Sequence, residues 1–398
     1  MIFFQLSNFL LGIFIVRYIS VQELGHYQFF VVTATFMSYF AKMGGDEKIS
    51  YILPAIGGAG SSEGRALMTH VLIRTIMLSV LVVLLYALFD YVISGRQWQQ
   101  KKMIDALAYS LYLPSFVGGL ILTSILRAEH RMLGRSLFIY ILPNIFNFIF
   151  IVVISAWLFS ESSSILARSV SYLLLFILLF LLLHRRYGFA INKENKMDKK
   201  VYSGNLGWLM VTIVSFALES GLLVIWAGKL FLDDYENGVL AILLRLSALM
   251  LLVPTAINIV MGPVLAREPH NILLRKKIFL LNIFGVLFVF LALFLLSDFL
   301  LSFFGREYVK YSVELLIFIT AWTFLALSQP LYSVFMALNL KKFVYLFGWF
   351  MIFVFIALLI FIGRYNLNTI AGIVLVIFFL LSVGRLFYYL RILLDSSN

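Results

Sequence analysis

Residues 184–205 read HRRYGFAINKENKMDKKVYSGN, the longest clearly polar run in the chain. Six of them are lysine or arginine: Arg185, Arg186, Lys193, Lys196, Lys199 and Lys200. Apolar blocks of nearly equal length, 1–183 and 206–398, flank the run. It reads as a hinge loop between two halves, and the composition of those halves decides which solvent they meet.

That solvent is lipid. The 398 residues are 63% hydrophobic and 13% charged, with a mean hydropathy of +1.01, whereas soluble domains are roughly half apolar and a quarter charged. Twelve apolar segments stand out, roughly 1–18, 26–45, 67–93, 106–126, 136–158, 165–183, 206–228, 239–261, 278–297, 312–337, 344–362 and 367–389. Each is long enough, or nearly so, to cross the hydrocarbon layer as a helix. In lipid every backbone amide needs a partner within the protein, and apolar runs of about 20 residues are too long for barrel strands. The expected fold class is therefore an all-α polytopic membrane protein. Met1 opens directly into the first apolar segment, so no cleavable signal peptide is expected.

Loop charges give the orientation. With the N-terminus cytoplasmic, 20 of the 31 lysines and arginines fall in inside loops or at their edges and 8 in outside ones; Arg74, Arg168 and Arg245 lie within segments. Both termini are expected to be cytoplasmic, and the net charge of +12 reflects positive-inside loops rather than nucleic-acid binding. No loop exceeds the hinge, which argues against the extramembrane domain that a membrane-embedded polymerase or glycosyltransferase needs. The absence of cysteine excludes disulfides, thiol catalysis and cysteine-ligated metal.

The halves resemble one another. LLGIFIVRYISVQELGHYQF, residues 10–29, and LLVIWAGKLFLDDYENGVLAI, residues 222–242, each leave one segment and enter the next. Arg17 aligns with Lys229, and Gly25 with Gly238 after a one-residue insertion. Six segments per half is an even number, so both halves share one orientation. The expected architecture is twelve transmembrane helices in two six-helix bundles, 1–183 and 206–398, joined by the cytoplasmic hinge 184–205. A pseudo-two-fold axis normal to the membrane relates them, with a substrate path between.

Residues 17–27, RYISVQELGHY, resemble the junction between helices one and two of polysaccharide and O-antigen flippases (Wzx-type) of the multidrug/oligosaccharidyl-lipid/polysaccharide (MOP) exporter superfamily. Arg17, Tyr18, Ile19, Glu23, Leu24, Gly25 and Tyr27 match that pattern in order, and Met43-Gly44-Gly45 resembles the glycine closing helix two. The resemblance implies an alternating-access flippase of the bacterial inner membrane. It would carry oligosaccharide linked to undecaprenyl diphosphate, as in lipopolysaccharide assembly, from the cytoplasmic to the outer leaflet. A polysaccharide polymerase or assembly machinery is an implied partner.

An anionic diphosphate crossing a low-dielectric interior needs cations along its path, so ionisable residues within segments are the first candidates. Arg74 lies about 12 Å into segment three at about 1.5 Å per residue, with His70 at i−4 on the same face. It either meets phosphate or snorkels to the interface. Lys48, beside Asp46 and Glu47 at the end of segment two, either greets the head group or solvates a helix end. Glu219 and Arg245 are expected to meet as a buried pair on consecutive segments. In a switch, Glu219 takes H+ or Na+ and releases Arg245 to substrate; in the plainer reading the pair is a static bridge. Arg17 and Arg168 are expected at the outer interface. Asn144 and Asn147, beside Pro143, offer hydrogen bonds to sugar hydroxyls, as does Asn258, one turn after Pro254, although proline in a span more often marks a kink.

Enzymatic signatures are missing. The glycine-rich run 57–62 lacks the spacing and lysine of a nucleotide-binding loop, and no H-E-x-x-H occurs. Asp233-Asp234 has no evident further metal ligand. No catalytic residue, metal or cofactor is expected. The rival reading is an ion-coupled drug antiporter of the same superfamily, which would want deep acidic residues; a membrane-embedded glycosyltransferase or polymerase stands further back.

Overall fold

A computed structural model describes residues 2–18, 20–94, 100–129, 134, 137–157, 163–189, 206–258, 271–338, 340–362 and 366–395. The hinge beyond residue 189 lies outside them. Every regular element among the described residues is helical. Eight helices are long and apolar enough to cross a membrane: Ser62–Leu88, Ile104–Ala128, Ser163–Tyr187, Asp234–Asn258, Ile272–Leu295, Arg306–Phe335, Lys342–Ile362 and Leu367–Arg391. A ninth forms if Leu209–Glu219 and Leu222–Phe231, bent by 56° at their junction, count as one span. Two shorter apolar helices, Phe9–Tyr18 and Leu142–Ile154, fall on the first and fifth expected segments. The second expected segment is helical over Val21–Lys42, but Gln22, Glu23, His26 and Gln28 dilute its apolar character, and it does not count among the spans.

The chain divides into two compact units, Phe30–Ile213 and Met1–Phe29 with Val214–Asn398. The first helix and the start of the second thus pack with the later part of the chain, whereas the sequence grouped them with the first half. In the unit 30–213, α5 (Gln100–Ala128) and α7 (Ser163–Tyr187) form the central pair. Helices α3 (Gly45–Ala55) and α4 (Ser62–Ser94) lie on α5, and α6 (Leu142–Trp157) lies on α7. Leu67, Met68, Ile121, Ile125, Leu179 and Leu183 fill one core, and Phe30, Tyr109 and Tyr112 an aromatic one. A left-handed Gly44 (φ 75°) separates α3 from α2 (Val21–Lys42), which is why glycine closes that helix.

The other unit repeats this plan. Helices α13 (Ser312–Ala337) and α15 (Leu367–Asp395) form its central pair, with α11 (Ile272–Leu295) on α13 and α14 (Lys341–Ile362) on α15. Helix α10 (Asp234–Ser247), preceded by α8 (Leu206–Glu219) and α9 (Leu222–Phe231), also packs on α13. The short α12 (Ser297–Ser302) links α11 to α13. Pro330 within α13 has no N–H for the carbonyl of Ala326, four residues back. Asn282 on α11, fully buried, donates its amide to that carbonyl at 3.0 Å. The proline's missing hydrogen bond is thereby replaced inside the membrane, where no water supplies one.

Helices α2 and α10 begin alike. The Ser20 Oγ accepts from the Glu23 amide at 3.0 Å, and the Asp233 carboxylate accepts from the Glu236 amide at 2.6 Å. Each is a capping residue followed three positions on by glutamate and two further by glycine. Those glycines, Gly25 and Gly238, touch. A Cβ on Gly25 would lie 2.9 Å from the Gly238 nitrogen, and a Cβ on Gly238 would meet the Val21 carbonyl oxygen. The two residues aligned between the sequence repeats are the point at which their helices cross.

Candidate functional site

Helix α8 ends at Glu219 because Gly221 adopts a left-handed conformation (φ 73°) and the next helix departs at 56°. The C-terminal end of a helix carries partial negative charge and favours a cation. Arg385 of α15 supplies it, with Nη2 at 3.5 Å from the Glu219 Oε1. Arg385 is buried; its Nη1 donates to the Ser328 Oγ at 3.1 Å, and its guanidinium lies 5.5 Å from the Tyr332 ring. The Gln329 side chain lies beside the Glu219 carboxylate. These partners come from the stretch of α13 beside Pro330.

This corrects the expected Glu219–Arg245 pair. The kink ends α8 at Glu219 and hands the turn to α9, so the helix packed on α10 is not the one that bears Glu219. Arg245 of α10 instead donates to the Gln28 Oε1 at 3.1 Å and lies over the Tyr27 ring at 5.7 Å. It occupies the space that Gly12 leaves open: a Cβ there would come within 2.7 Å of its Nη1. Arg245 is half-buried among residues of α1 (Ile2–Tyr18) and α2.

In the other unit, Arg168 is buried, five residues from the start of α7. Its Nη1 donates to the Asn144 Oδ1 at 3.2 Å and its Nη2 to the Tyr172 hydroxyl at 3.2 Å, and the guanidinium lies 4.7 Å from the Tyr172 ring. Asn144 and Asn147 are both buried on α6, so Asn144 serves the arginine in this conformation. A π-helical turn, Leu137–Ile141, precedes α6 and absorbs the disruption that Pro143 brings. Tyr172 also borders a small pocket lined by Phe116, Phe138 and Phe176 with Ser115 and Thr123.

The other candidates are dispersed. Arg74 is exposed on α4 and His70 is half-buried one turn earlier. The side chain of Lys48 lies outside the described residues; its neighbour Asp46 binds Lys42 at 2.7 Å. Asn258 accepts from the Ser333 hydroxyl at 2.9 Å. Of the two acidic neighbours, Asp233 caps α10 and Asp234 binds Lys229 at 2.9 Å. The glycine-rich run is a turn with positive φ at Gly57 and Gly58, closed by the Ser61 hydroxyl accepting from the Gly64 amide at 2.9 Å. Among the described residues no group of three or more metal-ligating side chains occurs.

Solved structures share this fold over the whole chain. A multidrug resistance MATE family transporter of the MOP superfamily, in its inward-facing conformation, matches with a TM-score of 0.70 at 16% identity, covering 99% of this chain and 95% of its own. The lipid II flippase MurJ, in an inward closed conformation, matches at 0.67 and 14% identity, covering 98% and 86%. The MATE multidrug transporter DinF-BH matches at 0.63 and 17% identity, covering 98% and 92%. No protein-family model matches the sequence, and neither does any curated protein. The chain has the fold of MOP superfamily transporters, a fold shared by multidrug transporters and a lipid II flippase alike.

Proposed function

We propose that the chain is a flippase for an anionic lipid-linked oligosaccharide, built on undecaprenyl diphosphate and moved from the inner to the outer leaflet by alternating access. One observation carries this choice over the drug antiporter. The fully buried charged side chains among the described residues are three arginines, Arg168, Arg275 and Arg385, against one glutamate, Glu23. A carrier for cationic drugs needs the opposite balance, since buried charge must complement its cargo.

In this reading twelve helices form two six-helix bundles with both termini cytoplasmic, in a bacterial inner membrane, serving a surface polysaccharide such as O-antigen. Glu219 is the ion-coupling residue. With H+ or Na+ on its carboxylate it no longer holds Arg385, whose charge turns to the substrate phosphate; Arg245, Arg74, His70 and Lys48 extend the cationic path. Asn147 hydrogen-bonds sugar hydroxyls, and Asn144 does so once released from Arg168. The protein makes and breaks no covalent bond.

Deletion of the gene followed by mass spectrometry of the lipid-linked sugars tests this. A complete repeat unit on its diphosphate carrier, accumulated on the cytoplasmic leaflet, is the expected result. An unchanged lipid pool together with sensitivity to cationic dyes would establish the antiporter instead.

A further inference from the structure

The end of α8 favours a cation. The helix stops within an apolar stretch at Ser220-Gly221, and α9 departs at 56°. A span broken in this way leaves carbonyl groups at the C-terminal end of its first half, and such half-helix ends are where transporters coordinate coupling cations. Glu219 adds a full negative charge at the same place. The chain meets that demand with one of its own side chains. Arg385 of α15, 5% exposed, places its Nη2 at 3.5 Å from the Glu219 Oε1. The groups that face the pair from α13 are uncharged. The Ser328 Oγ accepts from the Arg385 Nη1 at 3.1 Å, Gln329 lies beside Glu219, and the phenol of Tyr332 is the remaining titratable group at the guanidinium.

A metal cation does not fit beside it. Between the end of α8 and helices α13, α14 and α15, the space next to Arg385 has room for little more than one water. Phe335, Phe343 and Phe347 wall it, and Ser215 and Arg385 are the only lining residues with polar side chains. A Na+ ion gives up its hydration water for a shell of protein oxygens, which these walls do not supply. A fixed guanidinium also repels a second cation from the same carboxylate. A proton has neither difficulty. It binds one carboxylate oxygen without a coordination shell, and the Glu219 side chain keeps 23% of its exposure, which leaves the proton a route.

We propose that Arg385 is a built-in substitute for a coupling cation, so that Na+ has no place at Glu219 and the ion that releases Arg385 is H+. The assignment rests on the flippase reading and selects between the two ions which that reading allows at Glu219. The step balances. The Glu219 carboxylate gains one proton and becomes neutral, while the guanidinium stays protonated throughout. The pair thereby passes from no net charge to a single positive charge, which faces the substrate phosphate. Loss of the proton restores the ion pair and lets the phosphate go.

Thermal unfolding of the purified full-length protein in detergent, in NaCl and in KCl of equal concentration at neutral pH, tests the exclusion of Na+. The wild type should unfold at the same temperature in both salts, as should Arg385→Lys, which keeps a tethered cation. Arg385→Gln leaves Glu219 without its cation and opens a gap where the guanidinium stood. Na+ should therefore raise its midpoint above that in KCl by about 2 °C or more, as an ion that binds only the folded state does. Glu219→Gln with Arg385→Gln should lose that response. A wild-type midpoint raised by Na+ through Glu219, or an Arg385→Gln variant indifferent to Na+, would overturn the assignment. If Arg385→Gln does not fold, the wild type and Arg385→Lys carry the test, together with infrared difference spectra. Acidification should produce a protonated-carboxyl band that is the same in Na+ and K+ and missing from Glu219→Gln; a wild type without that band refutes the proton. In vesicles, a pH gradient should drive translocation of lipid-linked oligosaccharide with K+ as the sole alkali cation, and a requirement for Na+ would again overturn the assignment. Salt responses as expected with no translocation under either gradient would refute the flippase and keep the cation assignment.

Discussion

Glu219 and Arg385 face each other at 3.5 Å, one at the kinked end of α8 and the other on the buried stripe of α15. Their side chains keep 23% and 6% of their exposure, so removing either partner leaves a charge largely withdrawn from solvent. Breaking such a pair typically costs about 3–5 kcal/mol, whereas removing both partners costs far less. Arg385→Gln should therefore lower stability by about 3 kcal/mol, the lower end being appropriate to the part-exposed glutamate. Thermal unfolding in detergent of Arg385→Gln, Glu219→Gln and the double variant checks this. A double variant no more stable than Arg385→Gln would show that the two charges are uncoupled.

Arg245→Ala and Arg74→Ala should each stop translocation and leave expression intact. The first removes the hydrogen bond to Gln28 and the cation facing Tyr27. The second removes an exposed charge with little packing to lose. Transport in vesicles normalised to protein content reads both, and full activity in both would remove the cationic path.

Gly238→Ala should be more damaging than Gly25→Ala. The obstacle at Gly238 is the fixed Val21 carbonyl, whereas Gly25 faces the Gly238 backbone at 2.9 Å. Overpacking typically costs about 1–3 kcal/mol, and backbone obstacles lie at the upper end because no side chain rotates away. Comparing the melting temperatures of the two variants gives the order directly.

Arg168→Lys should not behave as a conservative change. The guanidinium donates to Asn144 and Tyr172 at once and lies over the Tyr172 ring, a geometry that a lysine ammonium cannot reproduce. Tyr172→Phe, which keeps the ring, should cost only about 1 kcal/mol. Thermal shifts of the two variants, with Arg168→Lys the larger, check the assignment.

Much of the fold was legible because lipid imposes long apolar runs, and the repeat was legible at Gly25 and Gly238 because a helix crossing tolerates no side chain there. The ion pair was not. Arg385 falls near the end of the last apolar segment, where a positive charge reads as a loop residue, yet it continues the buried stripe of Val374, Ile377, Phe378 and Leu381 at helical spacing. Arg168 continues Ser164 towards Ser171, Leu175 and Leu179 in the same way. That periodicity was present in the sequence, and it marks an arginine as inward-facing better than its distance from a segment end. The pairing of Glu219 was hidden for another reason. Ser220-Gly221 within an apolar run gave no warning of a 56° bend, and without the bend α8 and α10 are the natural partners.

The packing of α1 and α2 against α10 also sets a timetable for synthesis. Gln28 and Arg245 are 217 residues apart in the chain. At about 5–20 residues per second, a ribosome needs roughly 10–40 s to deliver the second after the first. For that interval the first two helices sit in the membrane without the helix that crosses them at Gly25, and Glu23, buried in the finished protein, waits without its final surroundings. The first two helices therefore wait through more than half of the chain's synthesis before these contacts form.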